Sequence, residues 1–176
     1  MDKKRLIAIS IIVCMLLLAS VGTALAYMFK DTGDVPNDFI PGVVSCSIEE
    51  VFDGTEKSKI TVTNTGNIDA YIRVKLVTYW EDKDGNVAPK APAEINFTSG
   101  SGWVKSSSSN TYYYSVPVAP GAKIENLLGS SIILAKDGEY LQVVDVFAEA
   151  IQANPTTAVR DSWLVSLSGS EIVSAN

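Results

Sequence analysis

Glu81-Asp82-Lys83-Asp84-Gly85-Asn86 is the most charged run of the chain and the one place where oxygen ligands crowd together. A calcium loop of the EF-hand type needs oxygen ligands two and four positions before Asp84 and a carboxylate seven after it. Trp80 and Ala91 hold the two outer positions, so the spacing fails. The run reads instead as a solvated Asp-Gly turn. Paired carboxylates can also do glycosidase-type acid–base work, and Asp82 with Asp84, or Glu49 with Glu50, are the pairs on offer. Each falls at a predicted turn or strand end with nothing to desolvate one member, so both read as surface charge. The 176 residues include no histidine, which removes catalytic triads, His-ligated zinc and most general bases. No catalytic, cofactor-binding or metal-ligating residues are expected, and the chain does not read as an enzyme.

Two other chemistries have weaker claims. Asn96-Phe97-Thr98 fits a glycosylation acceptor, which matters only in a eukaryotic secretory context. Tyr112-Tyr113-Tyr114 could be a carbohydrate platform, but consecutive tyrosines are more often strand residues with rings on alternating faces. Of the two cysteines, Cys46 alternates with Val44 and Ile48 and so belongs to an inward face, where a thiol acts as a small hydrophobe. An odd cysteine in an exported chain also permits a bridge between chains.

Lys3, Lys4 and Arg5 precede an almost unbroken apolar run over residues 6–25 that ends in Ala24-Leu25-Ala26. A charged start, an apolar centre and a small-residue box describe a secretory signal peptide cleaved at Ala24, Ala26 and Tyr27. At 1.5 Å per residue the run could also span a bilayer, so an uncleaved anchor is the alternative. In either case the chain leaves the cytoplasm. Without residues 1–26, eleven basic residues face nineteen acids, for a net charge of −8. That field disfavours nucleic acid and anionic lipid as partners, and the membrane enters only through the signal segment.

Residues 27–41 mix aromatic and aliphatic groups with Gly, Pro and Asp, which suits an extended segment that docks, with Tyr27, Phe29, Val35, Phe39 and Ile40 as its apolar side chains. Period-2 alternation then marks strands over 42–51, 60–63 and 71–76, and the last two flank Asn64-Thr65-Gly66-Asn67, which predicts a hairpin with threonine, tyrosine and basic groups outside. A second hairpin joins 103–105 to 111–116. Residues 140–151 form the longest strand, apolar on both faces over part of its length, as a central strand would be. Asn154-Pro155 with Val159, Trp163 and Leu167 at a spacing of four predicts one short C-terminal helix. The fold class is all-β, a jelly-roll-like β-sandwich over 42–176, behind a signal helix (1–26) and an extended segment (27–41).

Ala24-Leu25-Ala26 with Tyr27, Phe39-Ile40-Pro41-Gly42, Ile60-Thr61-Val62-Thr63-Asn64-Thr65-Gly66 leading to Tyr71-Ile72-Arg73-Val74, and Ala148-Glu149-Ala150-Ile151-Gln152-Ala153 together resemble the TasA/camelysin family of exported Gram-positive proteins. That resemblance extends over nearly the whole chain. One departure lies at the start of the mature chain, where Met28 separates Tyr27 from Phe29 and Lys30 stands where the family has a small residue. The resemblance implies a secreted jelly-roll subunit of biofilm matrix fibres, processed by a SipW-type signal peptidase, whose freed N-terminal segment completes a sheet of the next copy. Some relatives have been labelled metalloproteases. With no histidine here, that activity is not carried over.

Overall fold

The computed structural model describes residues 3–5, 7, 9–16 and 40–176. Residues 3–5, 7 and 9–16 are helical and fall in a unit of their own that ends at Ile40; the second unit is Pro41–Asn176. No helix among the described residues is long and apolar enough to cross a membrane.

The second unit is all-β and sandwich-like. One sheet holds β1 (Cys46–Phe52), β2 (Glu56–Asn64) and β6 (Lys123–Ile124), with β7 (Ile132–Ile133) also on β2. The other runs in the order β4 (Trp103–Lys105), β5 (Thr111–Tyr114), β3 (Ala70–Glu81), β9 (Tyr140–Gln152), β8 (Lys136–Asp137), all neighbours antiparallel. Between them lies a core of Ile60, Val62, Ile72, Val74, Leu76, Ile124, Leu127, Ile132 and Val144. As expected, Cys46 and Ile48 pack on this core, and so do Val146, Ala148 and Ala150 of the long strand.

The expected hairpin around Asn64-Gly66 is not one. β2 and β3 belong to different sheets, and the connection is an arch from one sheet to the other. The alternation of Ile60 and Val62, then Ile72, Val74 and Leu76, correctly gives an inward row in each strand; the rows face each other across the core instead of lying side by side. Asn64 holds the arch in place. It is fully buried, its Nδ2 donates to Ile68 O (2.9 Å) and Val118 O (2.8 Å), and its Oδ1 accepts from Gly66 N (2.9 Å). Gly66 is required there because a Cβ would lie 2.2 Å from Val43 O.

A third layer was not expected. Tyr71 and Thr61, assigned to the solvent side, are buried, and Tyr71 joins a second core with Tyr113, Val159, Trp163, Val165, Ile172 and Ala175. The helix Thr157–Trp163 and the hairpin of β10 (Val165–Ser168) with β11 (Glu171–Ala175) cover the outer face of β3 and β5, and Tyr71 OH donates to Ser170 O at 2.6 Å. The predicted helix is therefore shorter than its apolar spacing suggested. Leu164 takes a left-handed conformation (φ 54°) that ends it, so Leu167 lies in β10, and Thr156 stands at the N-cap rather than Asn154.

Candidate interaction edge

The residues that might have done chemistry are occupied elsewhere. Asp82 accepts from the backbone N–H of Asp84 (2.8 Å) and Asn86 (2.9 Å), and these bonds hold its carboxyl below the usual carboxylate range. Asp53 does the same for Thr55 and Glu56 in the turn before β2. Glu50 pairs with Lys57 and Glu49 lies 3.6 Å from Lys123, so neither acid pair converges on a cleft. No metal-holding cluster occurs among the described residues. Tyr112 and Tyr113 point to opposite faces and are 4% and 3% exposed; Tyr112 meets Phe97, and Tyr113 meets Trp163 edge-on at 5.7 Å. The rings fill two cores and offer no platform. The Cys46 thiol is pushed up by burial and, secondarily, by the Glu149 carboxylate, which keeps it protonated and unreactive.

What the sandwich does leave available is backbone. Antiparallel strands alternate the direction of their N–H and C=O groups, so the bonds on one side fix which residues serve the other. On β3, Ala70 N donates to Val118 O (3.1 Å) and Leu76 N to Asn110 O (2.9 Å), both away from β9. Even-numbered residues of β3 therefore face β5, and odd-numbered ones face β9. With Arg73 opposite Glu149 and Lys75 opposite Phe147, the odd residues of β9 complete that ladder. Val144, Val146, Ala148 and Ala150 turn their N–H and C=O groups outwards, away from β3. Gln142 is of the same set, and its N–H is taken by Ala135 O at 2.9 Å. There the cover stops. β8 pairs only with Tyr140 and Leu141, so among the described residues no strand satisfies β9 from Val144 onwards. The expected central strand is central only at its beginning.

β1 is the outer strand of the facing sheet. Thr65 N and Asn67 N donate to Ser45 O and Val43 O, which by the same parity turns the backbone groups of Cys46, Ile48 and Glu50 outwards. The remaining outer strands, β4, β6, β7 and β8, have two or three residues each, a common way of blunting an edge. The two long unpaired edges, β1 and β9, belong to facing sheets, come within 8 Å of each other between Cα atoms without pairing, and contribute to one core.

A cleft of about 420 Å³ lies where the cover of β9 ends. Phe52, Leu134, Leu141, Val143 and Val144 line it with Lys57, Glu81, Asp82 and Asp145. Beside it the outer face of β9 carries Leu141 and Phe147, each 51% exposed, with Asp145 between them and Glu81 opposite Leu141. Tyr79 stands opposite Val143, and its phenol is pushed up by burial first and by the Asp145 and Glu81 carboxylates next.

Of the residues expected to form a docking segment, Ile40 is 76% exposed, and Asn67 Nδ2 donates to Pro41 O at 3.0 Å. Tyr27, Phe29, Val35 and Phe39, and the cleavage residues Ala24 and Ala26, lie outside the described residues. No sequence feature distinguished the open edge, because the supply of strand neighbours is a property of topology. Comparison of the chain with models of protein families, with curated proteins and with solved structures finds no match.

Proposed function

We propose that this chain is a secreted structural subunit of extracellular biofilm matrix fibres, assembled by N-terminal donor-strand addition after cleavage by a SipW-type signal peptidase. Its partners are copies of itself; nucleic acid has no part, and the membrane takes part only through the signal segment. The jelly-roll topology and the cleavable signal helix belong to the same reading. The observation that carries it is the open β9 edge, where four residues offer unpaired backbone groups above an apolar interior. An extended chain added there would satisfy those groups and send alternate side chains inwards. The alternative, a monomeric surface-binding module using the tyrosine strand, is weakened because Tyr112 and Tyr113 are buried and Tyr114 packs edge-on against Trp103.

A donor strand leaving one copy for the next makes a head-to-tail contact, and such contacts propagate into filaments when they do not close. Burying Tyr27 and Phe29 should contribute roughly 1.5–3 kcal/mol each by transfer from water. The test is Tyr27→Asp/Phe29→Asp in the processed protein, followed by electron microscopy and circular dichroism. Fibres should vanish with the β spectrum intact. Persisting fibres would remove the donor role from these residues, and loss of the β spectrum would place the segment in its own core.

A further inference from the structure

We propose that the uncovered half of the outer face of β3 and β9 is a pairing face, on which a second copy of this chain stacks sheet to sheet about a two-fold axis lying across the strands. The contact is made by side chains alone, involves no strand edge and no part of residues 27–39, and closes on itself as a pair.

The odd-numbered residues of β3 and β9 form the outer face, and the third layer covers one end of it. Tyr71, Tyr113, Val104 and Ile151 pack beneath that layer, and Trp163 reaches as far as Arg73, 4.7 Å from its guanidinium carbon. Beyond Arg73 the face continues through four cross-strand rows: Lys75 with Phe147, Val77 with Asp145, Tyr79 with Val143, and Glu81 with Leu141. Phe147 and Leu141 are half exposed, Lys75 is exposed, and Val77, Tyr79 and Val143 are half-buried. Among the described residues, Lys75, Glu81 and Asp145 enter no ion pair.

Charge selects the occupant. With the axis across the strands, β3 of one copy lies over β3 of the other in reverse, so the first row meets the fourth and the second meets the third. Lys75 then faces Glu81 of the second copy, Phe147 faces Leu141, and Val77 faces Tyr79, each contact being made twice. Asp145 comes over Val143 at the unpaired edge, where water and the neighbouring Tyr79 phenol still reach it. An axis along the strands would set Lys75 over Phe147 and Glu81 over Leu141, covering both charges with apolar groups and no counter-charge. The rows are self-complementary only when reversed.

Shape agrees. Facing sheets pack about 10 Å apart with their strands within about 30° of each other, so the sheet of a second copy lies level with the third layer. That layer stands as a step at the Lys75 end of the face. Reversal carries the two steps to opposite ends of the pair, whereas an axis along the strands would drive them into each other. The face is two strands wide and about 20 Å long, which falls short of the roughly 800 Å² per partner of a standard interface, so the pair is weak and reversible.

The test uses processed protein in a Cys46→Ala background. A mixture of Lys75→Cys chains with Glu81→Cys chains should be joined by a short bifunctional thiol reagent into dimers and nothing larger, while each variant alone stays monomeric. The cross-link reads the same in free protein and in fibres, so it does not depend on the donor-strand reading. Dimers from Lys75→Cys mixed with Phe147→Cys would overturn the reversed arrangement, and dimers from neither mixture would overturn the pairing. Charge reversal tests the recognition, by sedimentation in the Tyr27→Asp/Phe29→Asp chain. Lys75→Glu or Glu81→Lys should each raise the dissociation constant of the pair roughly tenfold, because each reversal is felt at two symmetric contacts. The two variants mixed, or both changes placed in one chain, should associate as the unchanged chain does. Single reversals without effect, or without recovery on mixing, would overturn the Lys75–Glu81 contact and the two-fold arrangement built on it.

Discussion

Proline substitutions one residue apart can separate the two sides of β9. Ala148 directs its N–H out of the open edge, whereas Phe147 faces Lys75 in the ladder with β3. Proline has no N–H to give, so it is tolerated where that group faces solvent and damaging where it is bonded. Ala148→Pro adds a ring beside a partly buried position of the main core, at a cost of about 1 kcal/mol for local repacking. Phe147→Pro removes a ladder bond and strands the Lys75 carbonyl, which costs about 2–3 kcal/mol, with little lost from a side chain that is half exposed. At about 3 °C per kcal/mol for a chain of this size, Ala148→Pro should lower the melting temperature by ~3 °C and Phe147→Pro by ~6–9 °C.

Assembly should show the reverse order. A strand added to β9 loses the Ala148 bond and, because the ring obstructs its backbone, one neighbouring bond as well. Two bonds at about 1–1.5 kcal/mol each raise the assembly concentration by roughly 30- to 150-fold. Sedimentation across a concentration series, with thermal circular dichroism on the same samples, reads both quantities. Equal melting of the two variants would refute the assignment of outward-facing residues, and wild-type assembly of a well-folded Ala148→Pro protein would refute β9 as the acceptor.

Two further predictions concern the scaffold. Asn64→Ala removes three hydrogen bonds from a fully buried side chain; Val118 O keeps Ala70 N and Gly66 N keeps Ser45 O, but Ile68 O is left without a partner, so a loss of about 2–3 kcal/mol, or ~6–9 °C in thermal melts, is expected; a change within 2 °C would mean that the arch is held by its backbone alone. The carboxyls of Asp53 and Asp82 are held below their ordinary range chiefly by backbone N–H donors. Their contribution is complete above the unfolded aspartate pKa of about 3.9 and is lost only as pH falls through the lower folded values. Protection of Thr55, Glu56 and Asn86 against hydrogen exchange, taken relative to the intrinsic rate at each pH, should therefore hold down to about pH 4 and fall below it, and a loss of protection between pH 6 and pH 5 would contradict the sign.

Period-2 alternation reported the face of each residue well and its neighbours poorly. Ile60, Val62, Ile72, Val74 and Leu76 are all inward as the sequence indicates, yet β2 and β3 lie in different sheets. The reason is physical. Alternation follows from the pleat of a single strand, and a hairpin and an arch both place two alternating strands around one core. The turn residues did not separate the two either, since Asn64 and Gly66 serve an arch by side-chain bonding and close backbone approach. Tyr71 failed for a related reason. A phenol on the outward row is indistinguishable in sequence from a surface tyrosine until Val159, Trp163 and Ile172, about ninety or more residues later in the chain, fold over it.

The same reasoning explains why the candidate interaction edge could not be read from residue types. Alternation puts Val144, Val146, Ala148 and Ala150 on one face of the strand without saying which way it points, and the structure turns that face inward. Their backbone groups are open because Ile132–Ile133 pairs with β2, and only Lys136–Asp137 reaches β9, so the chain crosses from one sheet to the other just where it could have covered the long strand. A full-length β8 would have closed this edge, as β5 closes part of β3 on its other side. Leaving the outward groups of Val144, Val146, Ala148 and Ala150 unpaired offers a template for pairing with other chains, which folded proteins normally blunt with proline, bulges or short strands. Of the other outer strands here, β1 has a register shift between Val51 and Phe52 and the rest are short, whereas β9 carries no proline and no bulge in its register with β3. An edge left regular beside an apolar cleft, in a chain whose exported start is rich in aromatic residues, is what a donor strand requires of its acceptor.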